Sequence, residues 1–180
     1  MSGPDTQRVF VSTYLGHRFY PLEPCIDDID IEDIAHGLAY QCRFNGQTSA
    51  FYSVAQHSLL VASIVPAQLR LSALLHDAAE AYLGDIVKPL KLLVPQFSVI
   101  EQQVAAIISQ RFGAFELDHP LIKAADLVLL ATEKRDLMPN SVEAWSSIQG
   151  LVPLEVAIKA QPPELAKAAF LAAWQEWRSD

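Results

Sequence analysis

The sequence predicts an all-α domain with at most a short N-terminal β-hairpin or arm, and three observations carry that prediction. Apolar residues recur at helical spacing in successive segments between residues 31 and 177, each bounded by a capping residue, a proline or a glycine. Residues of β character gather in one place only, at 8 to 24. A chain of 180 residues with 51% hydrophobic content is enough for one compact core and too short to expect two, so residues 1 to 180 are read as a single domain.

The elements follow in order. Val9, Phe10, Val11, Thr13 and Tyr14, then Phe19 and Tyr20, flank Leu15-Gly16-His17 and give the hairpin or extended arm. Asp30 caps a first helix from Ile31 to Gln41, with Glu32 and Asp33 in the turn favoured by the helix dipole and Ile31, Ile34, Ala35 and Leu38 as the apolar stripe. His36 on this helix reads as a core-edge or surface residue. Arg43-Phe44-Asn45-Gly46-Gln47-Thr48-Ser49 is a loop. A second helix, from Tyr52 to Val65, must stop at Pro66, which opens a third through Leu69, Leu71, Leu74 and Leu75. Gly84 stops that helix, and the chain turns through Asp85-Ile86-Val87-Lys88-Pro89-Leu90-Lys91. A helix from Gln96 to Phe112 ends at Gly113, and Pro120 opens another from Leu121 to Leu137. Residues 139 to 163 are rich in loops and prolines. The last helix, Glu164 to Trp177, carries Phe170, Leu171, Trp174 and Trp177 on a face suited to core or dimer packing.

The chemistry gathers at His76-Asp77-Ala78-Ala79-Glu80, at the polar end of the third helix. On a continuous helix Glu80 stands four residues past His76 and three past Asp77, which puts an imidazole and two carboxylates on one face. Beside a leucine-rich run, such a group is costly to bury unless something compensates its charge, as a divalent metal does. His-Asp pairs are common on helix surfaces; this one is singled out by His57. That residue lies nine positions before Pro66, and His76 lies ten after it. At the helical rise each histidine is about 13–15 Å from the bend, so an antiparallel hairpin sets the two level. Asp126 interrupts the apolar face of Ile122, Ala125, Leu129 and Leu130 and calls for a charged partner. His57, His76, Asp77 and Asp126 are therefore the candidate ligands. Two imidazoles and two carboxylates suit Mn, Co, Fe, Zn or Ni, with Mg admissible, and leave positions open for water and substrate. Arg43 can fork onto a phosphate. Lys88 and Lys91, solvated loop charges by default, become phosphate-holding groups if a metal lies beside them.

Composition limits the partners. A formal charge of −8 repels an extended polyanion, so a small anion is expected and a nucleic-acid polymer is not. Apolar runs such as Leu127-Val128-Leu129-Leu130-Ala131 fall far short of a membrane span, and Met1-Ser2-Gly3-Pro4-Asp5 has neither the basic nor the apolar region of a signal peptide. A soluble cytoplasmic chain is the expectation. Cys25 and Cys42, with no CxxC spacing, read as reduced thiols.

His57, then His76-Asp77, then Asp126 on separate helices resembles the H…HD…D signature of the HD-domain metal-dependent phosphohydrolases, over roughly residues 30 to 140. Glu80, Gly84-Asp85 and Pro89-Leu90-Lys91 are similar to the HDxxE…GD…PxK continuation of the 5′-deoxynucleotidases and phage dATP triphosphohydrolases. The resemblance implies an HD-type helical bundle, a homo-oligomer, and metal-dependent hydrolysis of small (deoxy)nucleotides to nucleoside plus phosphate or triphosphate. It further implies Arg43 and Lys91 on the phosphate, Phe44 beside the base, Lys88 and Pro89 in the binding loop, and Glu80 and Asp85 sharing the proton work. An alarmone pyrophosphohydrolase shares this core but is expected to read HDxxED, whereas Ala81 follows Glu80 here. The Gly-Tyr-Pro of the cyclic-dinucleotide phosphodiesterases is missing. A silent metal-binding interaction module would be favoured by loss of Glu80 or Asp85, and both are present.

Overall fold

The computed structural model describes residues 9–139 and 144–178. Arg8 of the expected arm, residues 140–143 of the proline-rich span and the chain start at Met1–Asp5 lie outside the described residues. Among those described, eight α-helices follow a small antiparallel hairpin: β1 Val11–Ser12, β2 Arg18–Phe19, α1 Ile31–Tyr40, α2 Val54–Ser63, α3 Arg70–Leu74, α4 Glu80–Leu83, α5 Lys88–Leu93, α6 Pro95–Phe112, α7 Pro120–Leu137 and α8 Pro163–Trp177. The architecture is thus all-α with an N-terminal hairpin. No helix among the described residues is long and apolar enough to cross a membrane.

Local chemistry accounts for most boundaries. Asp30 Oδ1 accepts from the Glu32 amide at 2.8 Å and starts α1; Ser53 Oγ accepts from the Gln56 amide at 3.1 Å and starts α2. Prolines stand in the first turns of α5, α6, α7 and α8, where a missing N–H costs nothing. Gly113, at φ 69°, ends α6 in the left-handed conformation that lacks a penalty only for glycine. In the hairpin Val11 pairs with Phe19 and Ser12 with Arg18. It docks through Asp33 Oδ1, which accepts from the Leu15 amide at 2.8 Å, and through Phe19, which stacks on Tyr82 with ring centroids 4.3 Å apart.

α2 is the centre of the bundle and packs against α1, α3, α7 and α8. Val54, Ala55, Gln56, His57, Ser58, Val61 and Ala62 are all buried, so this helix is enclosed almost on every side. The core continues through Leu38, Leu74, Leu75, Ile108, Ile122, Leu129 and Phe170. Phe170 is core packing, and Trp174 packs edge-on against Phe112 at 6.2 Å. The proline-rich span is strapped across the bundle by side chains: Gln56 donates to the Lys159 carbonyl and accepts from the Gln161 amide, while Asp136 accepts from the Ile158 amide.

Two local expectations are corrected. Pro66 does not open one long helix: a 3-10 turn at Ala67–Leu69 leads into α3, which closes at Leu74, and residues 75 to 79 form a tight turn before α4. There the amides bond three residues back, Ala78 to Leu75 at 3.0 Å and Glu80 to Asp77 at 2.9 Å, a narrower coil than the α-helix. Lys88-Pro89-Leu90-Lys91 is not a loop but the first part of α5, because Pro89 presets helical φ in the first turn.

Candidate metal centre

His57, in the buried middle of α2, and His76, just past α3, face each other across the α2–α3 hairpin with ring centroids 5.4 Å apart. The levelled pair expected from distances to Pro66 is therefore present. Each ring is anchored by its Nδ1, at 2.7 Å from Glu133 Oε1 for His57 and 2.7 Å from the Ala73 carbonyl for His76. A carbonyl and a carboxylate only accept, so both Nδ1 atoms carry the proton and donate. Both Nε2 atoms are buried and make no hydrogen bond. They converge with Asp126, and one donor atom from each of His57, His76 and Asp126 lies within 4.8 Å of the others. Asp77 Oδ2 flanks this trio, 3.2 Å from His76 Nε2 and 3.6 Å from His57 Nε2.

These features fit a cation site. Each imidazole, anchored through Nδ1, turns its buried Nε2 toward carboxylate oxygens, 3.2 Å from Asp126 Oδ1 for His57 and 3.2 Å from Asp77 Oδ2 for His76. An Nδ1–H held by an acceptor is how ligating histidines are oriented. A His57/His76/Asp126 group can hold a metal ion.

The electrostatics follow from close packing. Burial and the Arg43 charge push His57 down, but Glu133 and Asp126 outweigh them and raise the imidazole to about 9. Burial works against the charge on Asp126, yet His57, His76 and Arg43 hold it below the usual carboxylate range. Arg43 begins a 3-10 turn, Arg43–Gly46, and its guanidinium is mostly buried. Nη2 donates to Glu133 Oε2 at 3.3 Å, Nε lies 3.3 Å from Glu133 Oε1, and Nη1 lies 3.6 Å from Asp77 Oδ2. Arg43, expected to fork onto a phosphate, stands here as a mostly buried strut between two carboxylates.

Glu133 is the residue that sequence reasoning missed. It is fully buried, and Arg43 and His57 hold its carboxylate below the usual range against the cost of burial. The available signal was its place on α7, seven residues and hence two turns past Asp126, as a second acid on the same face.

Glu80 begins α4 instead of completing a helical face with His76. Lys91 Nζ donates to its Oε1 at 3.2 Å, while its Oε2 is buried without a partner. Burial first, then the charges of Asp77 and Asp85, push Glu80 well above the usual carboxylate range. Burial, with Asp77 adding to it, also raises Asp85 against the pull of Arg43 and Lys91. Lys91 also donates to Glu101 at 2.6 Å, so it is already doubly paired. Lys88 and Pro89 are exposed in the first turn of α5; Lys91, not these two, is the α5 residue that bonds Glu80.

Phe44 and Asn45 both adopt left-handed backbone, at φ 55° and 51°, which is strained for residues bearing a Cβ. The turn places the Phe44 ring 5.3 Å from the Arg43 guanidinium carbon and 6.0 Å from the ring of Trp145, an aromatic neighbour the sequence did not reveal. A separate open cavity of about 500 Å³ is lined by Gln47, Thr48, Ser49, Arg135, Asp136, Met138 and Pro139 and contains none of the donor set. His36 lies between Tyr14 and Tyr40, stacked at 3.8 and 4.4 Å, in keeping with a core-edge position.

No family model matches the chain. The chain is 42% identical over 147 residues to the uncharacterized Escherichia coli (strain K12) protein YfdR, covering 82% of this chain and 83% of that protein. It is 39% identical over 175 residues to the uncharacterized Rhodobacter capsulatus protein RCAP_rcc00048, covering 87% of this chain and 89% of that protein.

Proposed function

The chain belongs to the family of the Escherichia coli protein YfdR, and from that premise and the geometry above we propose that it is a metal-dependent phosphohydrolase of small (deoxy)nucleotides. One observation carries the reading: two buried Nε2 atoms, each on a ring anchored through Nδ1, converge with Asp126 within 4.8 Å of one another. His57 Nε2 lies 3.2 Å from Asp126 Oδ1 and His76 Nε2 3.2 Å from Asp77 Oδ2, neither in a well-formed hydrogen bond. Two imidazoles and two carboxylates packed in this way suit a donor set more than satisfied core side chains.

In this reading His57, His76 and Asp126 hold the ion, with Asp77 beside them. The ion, when bound, polarises a phosphoryl oxygen as a Lewis acid and makes water more acidic. The chain's own residues do the rest. Arg43 brings fixed positive charge to the edge of the cluster and offsets charge that develops on the phosphoryl group. Glu80 is suited to proton transfer because burial and two neighbouring carboxylates raise its affinity for a proton, and its Oε2 is the free atom on which to carry one. Lys91 fixes the other oxygen of Glu80. Asp85, also raised, is the second carboxyl, so that one group serves the attacking water and the other the leaving ribose oxygen. Phe44 and Trp145, beside Arg43, offer aromatic surface on which a base can stack. The formal charge of −8 favours a small nucleotide over a polymer.

The test is elemental analysis of protein purified without chelator, followed by a screen of nucleoside and deoxynucleoside mono-, di- and triphosphates with Mn or Co. About one ion per chain and release of phosphate or triphosphate from purine deoxynucleotides is the expected result. No ion and no uptake, or turnover confined to RNA or single-stranded DNA, overturns the reading.

A further inference from the structure

Glu133 stands outside the H…HD…D pattern, yet it ties two parts of the site together. Its Oε1 is 2.7 Å from His57 Nδ1 and 3.3 Å from Arg43 Nε, and its Oε2 accepts from Arg43 Nη2 at 3.3 Å. A carboxylate with no exposure persists only if its charge and lone pairs are compensated. Here the compensating groups are a histidine of the donor set and the arginine that reaches Asp77.

We propose that Glu133 is a positioning residue of the metal centre, which holds the His57 ring with Nε2 turned toward His76 and Asp126 and fixes Arg43 beside Asp77. The proposal rests on the reading of the cluster as a metal site. Its physical basis is an asymmetry between the two histidines. His76 Nδ1 is held by a backbone carbonyl, which any residue at position 73 supplies, whereas His57 Nδ1 is held by one side chain from another helix. An imidazole rotates about its Cβ–Cγ bond at little cost unless a partner selects one face. In the enclosed middle of α2 that partner is Glu133. A carboxylate on Nδ1–H also makes the opposite nitrogen a more basic donor, which a neutral acceptor does less well. The competing account, a buried ion pair that merely joins α7 to the 43–46 turn, predicts lost stability with unchanged metal affinity in the molecules that fold.

The experiment measures Zn²⁺ and Mn²⁺ affinity by competition with a chromophoric chelator, alongside melting temperature, for the full chain and the variants Glu133→Gln, Glu133→Ala and Ile108→Ala. Glu133→Ala is expected to bind about 10–100-fold more weakly, and Glu133→Gln, which keeps a carbonyl oxygen for Nδ1–H, about 3–10-fold more weakly. Ile108 lies in the core and belongs to no part of the cluster, so Ile108→Ala should melt lower with affinity unchanged. If Glu133→Ala does not fold, Glu133→Gln decides: a loss of about threefold or more supports the role, and a smaller one overturns it. Folded Glu133 variants that match the unmodified chain overturn the positioning role alone. A chain that takes up no metal overturns it together with the phosphohydrolase reading. Metal uptake that depends on Glu133, without nucleotide turnover, supports the positioning role and strikes only the phosphohydrolase reading.

Discussion

Replacing Gly37 by alanine tests how α1 sets the position of Glu80. Gly37 lies inside α1, where alanine is ordinarily the better residue by about 1 kcal/mol. Propensity alone therefore predicts stabilisation. The structure reverses the sign. A Cβ at position 37 would sit 3.0 Å from the Ala81 Cβ, 3.0 Å from the Ala81 carbonyl oxygen and 3.1 Å from the Ala81 Cα. Two of these atoms are backbone and the third is fixed to it, so no flexible side chain can yield; α4 as a whole must retreat. Forcing an extra methyl into a packed contact costs about 1–3 kcal/mol. Set against the propensity gain, the net loss is about 1 kcal/mol, or about 2–4 °C in melting temperature for a chain of this size. The retreat has a chemical consequence, because Gln41 of the same segment donates to the Glu80 carbonyl at 2.7 Å and binds α4 to α1 at that point. Moving α4 shifts Glu80 relative to Asp77 and Lys91, and turnover should fall more than metal content. Calorimetry, elemental analysis and nucleotide turnover on Gly37→Ala check this. A melting temperature raised by about 2–4 °C would show that the contact relaxes freely and refute the argument.

Two further outcomes follow from the site. Glu80→Ala should keep its metal and lose about 10²–10⁴-fold in rate, whereas Asp126→Ala should lose metal, turnover and thermal stability together; a fully active Glu80→Ala removes Glu80 from the proton work. A group raised in the folded state favours folding at low pH and loses that advantage as pH rises through its folded pKa, so the buried Glu80 carboxyl weakens the fold at high pH. Glu80→Ala should accordingly melt no lower than the unmodified chain at pH 8. His57 is raised from 6.5 to about 9. Without metal its contribution to stability is present below about pH 6.5 and lost as pH rises through 9. Because a ligating imidazole must be neutral, metal affinity should climb with pH until about 9 and each ion should displace about one proton, read by calorimetry in buffers of different ionisation enthalpy; a flat profile between pH 6 and 9 contradicts the assignment.

The sequence by itself determined the helical architecture and the convergence of the donor set. Asp30, Pro120 and Gly113 act within a turn of their own positions, so local chemistry placed those helix ends without knowledge of the fold. His57 and His76 were legible because Pro66 divides the chain between them almost evenly, and helical rise turns that count into a distance. Asp126 stood out against an apolar stripe. What only the tertiary structure decided is which charges are already paired. Arg43 and Lys91 read as phosphate-holding cations, and the structure shows one paired with Glu133, 90 residues away, and the other with Glu80 and Glu101. The Leu75–Ala79 turn was hidden as well, since Leu75, Ala78 and Ala79 are good helix formers and neither proline nor glycine interrupts the stretch. Periodicity reports which residues share a face over one or two turns. The partner of a buried charge is chosen by which other helix packs against that face, and the desolvation of an unpaired ion makes that choice obligatory.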